Sequence, residues 1–330
     1  MPTQISDVIV PEEFTKYLVQ NTMVASALFQ SGVLANNDVV LEQLAAGADM
    51  FNVPYWNDLS DDEADIVNDN PSDIAAAGTL NAVKQAVRKS FLHKGWSTMN
   101  LASELSGSDA MARVRERATA YWTRQGQKRL ISMLMGIKAH NIANDGGDMI
   151  HDASTETIGA TQVIDAAGTL GDAMGAFRAI AMHSDLYKSL LKQDLIEYIR
   201  DSDGSLVMTT YRGLAVTVDD GLVPDSNGVY TSVLFAAGAI GYGSAEPRIA
   251  AGTEIENLPG AGNGGGQQIL HTRVNMAFAP LGYGWTEASV AKESPSIAEL
   301  AIAENWKRTA AERKQVPIAF LLTKGEAAAE

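Results

Sequence analysis

Alternation of apolar and polar residues places most of the predicted β-strands in the second half of the chain. The most regular stretch runs from Leu270 to Phe278, where Leu, Thr, Val, Met and Phe alternate with His, Arg, Asn and Ala. Because successive side chains of a strand point to opposite faces, this pattern predicts a strand with one buried face. Four further strands are predicted, at Leu206 to Thr210, Leu214 to Val218, Val229 to Ala236 and Val316 to Leu322.

The middle of the chain has the 3.6-residue period of helices. None of the ten prolines lies between Pro71 and Pro224, and a proline inside a helix costs roughly 3 kcal/mol. From Ser108, the expected N-cap, apolar residues recur at helical spacing to about Ala143, which predicts a rod of about 50 Å that ends at the turn after Asn144. Shorter helical segments are predicted from Thr161 through Phe177 to Ile180, after an N-cap at Ser184, and from the Ser296 and Glu299 capping box to about Trp306.

Residues 1–96 lack the pattern of a self-contained core. Residues 1–35 carry short apolar clusters separated by Pro11 and polar residues, as expected of an arm that packs on another surface. The spacing between Leu80 and Trp96 fits a helix as well as a twisted strand, so the secondary structure of residues 58–96 is left open. Seven acidic residues lie here without an intervening Lys or Arg: Asp58, Asp61, Asp62, Glu63, Asp65, Asp69 and Asp73.

Composition narrows the class of protein. The 330 residues have a formal net charge of −15, which argues against a dedicated nucleic-acid-binding protein because phosphates are bound by clustered cations. The absence of cysteine excludes disulfides, thiolate catalysis and cysteine-ligated zinc. No apolar run reaches the roughly 18 residues of a membrane helix, and residues 1–10 lack a signal-peptide pattern. We therefore expect a soluble protein that folds in a cytoplasm, with about two domains stabilised by packing.

Four sequence patterns resemble cofactor-binding, catalytic or metal-binding sites but have simpler structural interpretations. Residues 260–265 match the letters of a dinucleotide-binding motif, but a proline precedes them and a strand follows, so we expect a loop. His183, Ser184 and Asp185 are contiguous and cannot adopt the geometry of a catalytic triad. The acidic run at 58–73 lacks the ligand pattern of a calcium loop. The five histidines (His93, His140, His151, His183 and His271) show no metal-ligand spacing, and we expect no catalytic, cofactor-binding or metal-binding residues and no cofactor.

Three stretches, which cover most of residues 100–322, carry a family pattern. Residues 106–136 contain Ser-Gly-Ser-Asp, then Tyr-Trp and Leu-Met-Gly. Residues 182–240 contain Met-His-Ser-Asp-Leu-Tyr and Tyr-Thr-Ser-Val-Leu-Phe, and residues 278–321 contain Phe-Ala-Pro-Leu-Gly, Asn-Trp and Ile-Ala-Phe-Leu. In this order and spacing the chain resembles the HK97-fold major capsid (coat) proteins of tailed bacteriophages.

The resemblance implies an α+β HK97-like capsid fold and a structural role. Its implied regions are an N-terminal arm (1–44), an extended loop (45–96), a peripheral domain with a long spine helix (97–150), an axial domain (151–260), and a closing peripheral strand with a C-terminal helix and strand (261–330). The protein would not be an enzyme. It would assemble with itself as hexamers and pentamers into the icosahedral shell of a virion, in the cytoplasm of a bacterial host.

The resemblance also implies partners. Double-stranded DNA would be held only by loose enclosure, a scaffolding protein and a portal would assist assembly, and no membrane would be contacted. No scaffolding extension precedes the arm, so a separate scaffolding protein or a mature chain is expected. Two alternatives remain open: an encapsulin-like compartment around cargo enzymes, and a soluble α+β enzyme, which would need a convergent polar pocket.

Three contacts are expected from individual side chains. Val114, Tyr121 and Leu134 should form the helix face that packs on the strand containing Val274, Met276 and Phe278. The acidic segment 58–73 should cross to a neighbouring subunit, where residues 80–96 and 113–129 supply basic side chains. Four aromatic residues of the arm and loop should be buried on neighbours: Phe14, Tyr17, Tyr55 and Trp56.

Overall fold

A computed structural model describes residues 34–36, 38–56, 63–67, 69–70, 72, 74, 82–200 and 206–325, and these form an α+β fold. The strands are β1 (Leu34–Asn36), β2 (Met50–Trp56), β3 (Ala82–Met99), β4 (Ile150–Thr157), β5 (Phe177–Met182), β6 (Glu197–Arg200), β7 (Leu206–Tyr211), β8 (Leu214–Val218), β9 (Val229–Ala236), β10 (Ile240–Ala245), β11 (Thr253–Leu258), β12 (Gln267–Pro280), β13 (Tyr283–Trp285), β14 (Trp306–Arg308) and β15 (Ile318–Lys324). The helices are α1 (Asp38–Ala45), α2 (Asn100–Ser106), α3 (Ala110–Asn144), α4 (Ala160–Gly168), α5 (Ser184–Lys192) and α6 (Ile297–Leu300). Short 3₁₀ turns lie at Gly171–Ala176, Ala303–Asn305 and Arg313–Gln315.

The first sheet is built around β12 and has the order β1-β10-β12-β3-β2. On one side, β12 pairs with β11 along its first half and with β10 along its second half. On the other side it pairs with β3 from Gln267 opposite Met99 to Ala277 opposite Lys89. The segment that the sequence left open, residues 82–96, is therefore a strand, and its length comes from pairing with β12.

The second sheet has the order β4-β15-β9-β5-β8-β7-β6, and its central strands β15, β9 and β5 are covered on both faces. Along β9, Val233 and Phe235 point into the core shared with α3, whereas Leu234 points into the core formed with α4 and α5. Strands buried on both faces read as continuous apolar runs, which is how β9 and β15 appear in the sequence.

Helix α3 confirms the predicted rod, with one correction at its start. Asp109, not Ser108, is the N-cap, because its carboxylate accepts a hydrogen bond from Ala112 N at 3.0 Å. The first half of α3 is largely exposed, whereas from Gly126 to Asn141 nearly every turn is buried. The helix runs unbroken through Gly126.

The predicted contact face of α3 was partly wrong. Tyr121 and Leu134 are 13 residues apart, which at 100° per residue puts them on roughly opposite sides of a helix. Leu134 lies in the main core with Phe278 packed against it, whereas Tyr121 contacts Trp96 of β3 edge to face at 5.2 Å. At this end of the helix, the contact with β12 comes from Trp122 in place of Tyr121: Trp122 Nε1 donates to Thr272 Oγ1 at 3.1 Å.

Three predicted helix boundaries also differ. The helix predicted from Thr161 ends at Gly168, a 3₁₀ turn follows at Gly171–Ala176, and Phe177 and Ile180 lie in β5. His183 rather than Ser184 caps α5, since its Nδ1 accepts from Asp185 N. The capping box of Ser296 and Glu299 is confirmed, but α6 ends at Leu300, before Trp306.

The prediction of one buried face on β12 holds only for its first half. Leu270 and Thr272 are buried, and the residues between them are half-exposed. From Asn275 onward both faces are covered, because α1 packs Val40 and Leu44 onto Ala277 and Ala279 on the side away from α3.

Gly136 lets α3 lie closer to Leu300 and Trp306 than would be possible with any other residue at this position. A Cβ added at this position would lie 2.2 Å from Leu300 O and 2.5 Å from Trp306 Nε1. Trp306 cannot move aside easily, because its Nε1 donates to Leu300 O at 2.8 Å and its ring packs edge to face on Trp285.

We predict that Gly136→Ala destabilises the subunit by about 1–3 kcal/mol or more, because the added methyl overpacks a contact made by backbone and a fixed indole. Gly168→Ala is the matched control: it is also a helical Gly-to-Ala change, but nothing lies within 4 Å of its Cβ, and it should alter stability by less than about 1 kcal/mol. Urea unfolding of the unassembled subunit measures both. Equal stabilities of the two variants would contradict the close approach.

Candidate assembly surfaces

The antiparallel pair β2–β3 is anchored at its base by a buried arginine. Met50 pairs with Arg88 at this end, and Trp56 pairs with Ala82 at the other. The Arg88 side chain is 5% exposed, forms ion pairs with Asp49 and, at 3.0 Å, with Glu287, and donates to Glu293 O at 2.8 Å. Arg88 holds the pKa of Asp49 below its usual value, mainly by hydrogen bonding. The base of the β2–β3 pair is thereby tied to the loop at residues 287–295.

Two more buried cations fix the same base through neutral acceptors. Lys89 Nζ donates to Ala46 O at 2.8 Å, and burial lowers the pKa of this lysine. Arg129 of α3 donates to Ser90 Oγ at 3.2 Å and to Pro295 O at 2.9 Å. A buried cation costs free energy unless its hydrogen-bond acceptors are held in place. The acceptors of Lys89 and Arg129 therefore fix the position of β3 at the base of the pair.

Between β2 and β3 lies the acidic segment, residues 58–73. Its described part is exposed, including Glu63 and Asp65, and it also exposes Ile66 (85%) and Val67 (94%). Asp58, Asp61, Asp62 and Asp73 lie outside the described residues, as do Phe14, Tyr17 and the side chains of Tyr55 and Trp56. Large apolar side chains at such exposure are typical of a surface that another molecule covers.

Four basic residues, Arg113, Arg117, Arg124 and Lys128, form the basic stripe of α3. At 100° per residue they lie within about 60° of one another around the helix axis and span roughly 22 Å along it. Arg113 pairs with Glu116 at 3.3 Å. The other three form no ion pair with any residue in the described ranges, so the stripe offers uncompensated positive charge on a protein of net charge −15.

A groove of about 620 Å³ lies on the α1 side of the first sheet. Its floor includes Phe91, His93 and Arg273, and its walls are the segments 46–49 and 247–250. Phe91 is 45% exposed and Ile249 is 89% exposed. The lining is mostly apolar.

The sequence motifs that were set aside as chemistry have structural roles where the structure describes them. His183 caps α5, and the Asp185 carboxylate accepts hydrogen bonds from Lys188 and from the Tyr230 hydroxyl. The glycine stretch 260–265 is the turn between β11 and β12. No group of three metal-ligating His, Asp or Glu residues occurs in the described part of the chain, and no helix there is long and apolar enough to cross a membrane.

One pair of neighbouring side chains could not be predicted from the spacing of residues in the sequence. His93 and His271 lie on adjacent strands, and His93 Nε2 is 3.0 Å from His271 Nδ1. They are 178 residues apart in the chain, so only the β3–β12 register could have paired them.

Comparison with known proteins gives one consistent result. Residues 78–317 match the family described as major capsid protein 13-like (Gp13-like). The major capsid protein of Bacillus phage SPP1 is 36% identical over 312 residues, which are 93% of this chain and 94% of that protein. Two similar solved structures are the cyanophage Pam1 capsid (TM-score 0.61, 11% identity, 97% of both chains) and the capsid of a native GTA particle (TM-score 0.55, 16% identity, 83% of this chain and 92% of that one).

We predict that Arg88→Met leaves the two cores folded but loosens the base of the β2–β3 pair, at a cost of about 1–3 kcal/mol for the lost charged hydrogen bonds. Hydrogen exchange of the amides in β2 and in residues 82–88 of β3, which pair with β2, should accelerate. Lys84→Met is the control, because Lys84 lies exposed on the same strand opposite Pro54. If Arg88→Met exchanged like Lys84→Met, Arg88 would not be the anchor.

Proposed function

Because the chain belongs to the major capsid protein 13-like family of phage structural proteins, we propose that it assembles with itself, as hexamers and pentamers, into the icosahedral shell of a phage head. The observation that carries the proposal is the surface around β2 and β3, where carboxylates and exposed Ile66 and Val67 have no cover within the described chain. A closed lattice of identical subunits would supply that cover.

The proposed domain division follows the two sheets, with two adjustments. Strands β4 to β9, from residues 150–236, all belong to the second sheet, which supports an axial domain beginning near residue 151. Strands β10 and β11 belong to the first sheet, which favours an end of that domain near residue 239 rather than 260. We retain residues 1–44 as the arm, 45–96 as the extended loop and 97–150 as the helical part of the peripheral domain. Residues 261–317 close that domain, whereas β15 joins the second sheet.

The proposed partners follow from the net charge of the chain and from its similarity to phage capsid proteins. A net charge of −15 favours loose enclosure of double-stranded DNA over tight binding. The relatives are phage capsid proteins, which favours a genome over the cargo enzymes of an encapsulin. We propose that a scaffolding protein and a portal assist assembly in the bacterial cytoplasm, that the mature protein resides in the virion, and that no residue is catalytic or binds a metal or cofactor.

We predict that the full chain, concentrated alone or co-expressed with its scaffolding protein, forms rings, tubes or closed shells visible by negative-stain electron microscopy. A mutation that opens the fold, such as Phe278→Ala at the edge of the main core, should cost about 3–5 kcal/mol and give insoluble protein instead. A wild-type mass that stays monomeric at high concentration, even with scaffold present, would refute self-assembly.

We propose that the acidic segment of one subunit contacts the basic stripe of a neighbour. The segment contains seven carboxylates and no local cation, and the stripe contains three cations without an ion pair in the described chain. Exposed ion pairs are worth only about 0–1 kcal/mol each and are screened over roughly 8–10 Å at ordinary salt. The contact should therefore tune assembly without affecting the fold of the subunit.

We predict that replacing Asp61, Asp62, Glu63 and Asp65 by Asn or Gln leaves a soluble, helical subunit whose assembly loses its salt dependence. Replacing Arg117, Arg124 and Lys128 by Gln should have the same effect, whereas Gln at the exposed residues Arg115, Arg212 and Lys307 removes equal charge elsewhere and should not. Lys at the four acidic positions combined with Glu at the three stripe positions should restore assembly. Light scattering across a salt series measures all of these. Identical scattering curves for the wild type and for the variant with the neutralised acidic segment would mean that the segment faces solvent.

A further inference from the structure

Three residues from three adjacent strands form a hydrogen-bonded row on the open face of the first sheet. His93 (β3) Nε2 lies 3.0 Å from His271 (β12) Nδ1, and His271 Nε2 lies 3.1 Å from Glu256 (β11) Oε2. The two imidazole rings stack with centroids 5.2 Å apart, and they do so over Gly95, which pairs with His271 and has no side chain to separate them. We call His93, His271 and Glu256 the histidine latch.

The row is complete only while at most one of its two histidines is charged. Glu256 accepts a hydrogen bond from Nε2–H of His271, which leaves Nδ1 of that ring as an acceptor for Nε2–H of His93. When both rings carry two protons, Nε2–H of His93 and Nδ1–H of His271 face each other as two donors, and two positive charges share one site. Glu256 can compensate only one of them.

The charged groups around the latch do not relieve the second positive charge. Arg273 of β12 already binds Glu254 of β11 at 3.1 Å and Ala251 O at 3.0 Å. Burial lowers the pKa of His93, and His271, Arg273 and Lys94 lower it further. The remaining charged residues that line the groove beside His93 are Asp49, whose carboxylate is engaged by Arg88, and Arg248.

The latch holds a strand that has little other support. β11 pairs with β12 alone among the described strands, and all of its residues are exposed. The side-chain contacts that join it to the sheet are His271 with Glu256 and Arg273 with Glu254. β11 also continues from the 247–250 segment that forms one wall of the groove.

We propose that the histidine latch is an acid-sensitive device, which holds β11 and the adjoining wall of the groove against the sheet at neutral pH and releases them as the pH falls. A histidine whose folded pKa lies below its unfolded value binds more protons when unfolded, so stability is complete above about pH 6.5 and is lost as the pH falls below it. The groove would therefore change shape under mild acid. This inference does not depend on assembly.

The test uses the full chain, unassembled, with ¹³C-labelled histidine followed by NMR from pH 8 to pH 5. In the wild type, His93 and His271 should titrate as a coupled pair, with one step displaced to lower pH. In His93→Gln, which can still donate to His271 but cannot be charged, that step should vanish and His271 should titrate in one step. His151→Gln is the matched control, because His151 lies in the second sheet, where it pairs with Asp165 at 3.9 Å, and it should leave the pair unchanged.

Limited proteolysis between residues 246 and 266 gives the structural readout. Cleavage of the wild type should increase several-fold between pH 7 and pH 5.5, the increase should be smaller in His93→Gln, and Glu256→Gln should shift it to higher pH. Independent single-step titration of His93 and His271 in the wild type would overturn the proposal. So would identical pH profiles of cleavage in wild type and both variants. Neither result bears on shell formation, which is measured separately.

Discussion

The packing of one long helix between two sheets is the constraint on which the rest of this structure depends. The second half of α3 is buried against the inner face of the second sheet, and it also contacts β12 and β3 of the first. Contact on several sides leaves little space for side chains, and a glycine, Gly136, lies where Leu300 and Trp306 come closest to the helix. Because proteins pack at the density of organic crystals, a change at this helix is felt in both sheets.

The two sheets differ in how much of their surface is covered. The central strands of the second sheet, β5, β9 and β15, are buried on both faces and supply apolar residues to two cores. The first sheet is covered by α1 over only part of one face, and the acidic segment, the groove and the histidine latch all adjoin its uncovered part. Buried cations with carbonyl partners, Arg129 and Arg313 among them, join the loops around this framework. Arg313 is buried enough that its pKa falls to about 10.

How far the sequence could predict the structure depended on the range of the interactions involved. The rod of α3, the strand β12 and the capping box at Ser296 were predicted well, because helix period, alternation and caps are local signals. Phe177 and Ile180 were assigned to a helix because β5 is apolar on both faces, a pattern that short buried strands share with helices. The same locality explains the sites: the acidic segment was visible in the sequence, whereas His93 and His271 meet only through strand register.

The position of β15 in the second sheet has a consequence for the order in which this protein can be made. β15 lies between β4 and β9, parallel to one and antiparallel to the other, although it follows both in the chain. While a ribosome is still synthesising the residues before Ile318, the facing edges of β4 and β9 have no partner, and such edges readily pair with other chains. Pairings between distant segments also form slowly. The second sheet can therefore be completed only after residues 318–324 have left the ribosome, and until then its two inner edges are open to other chains.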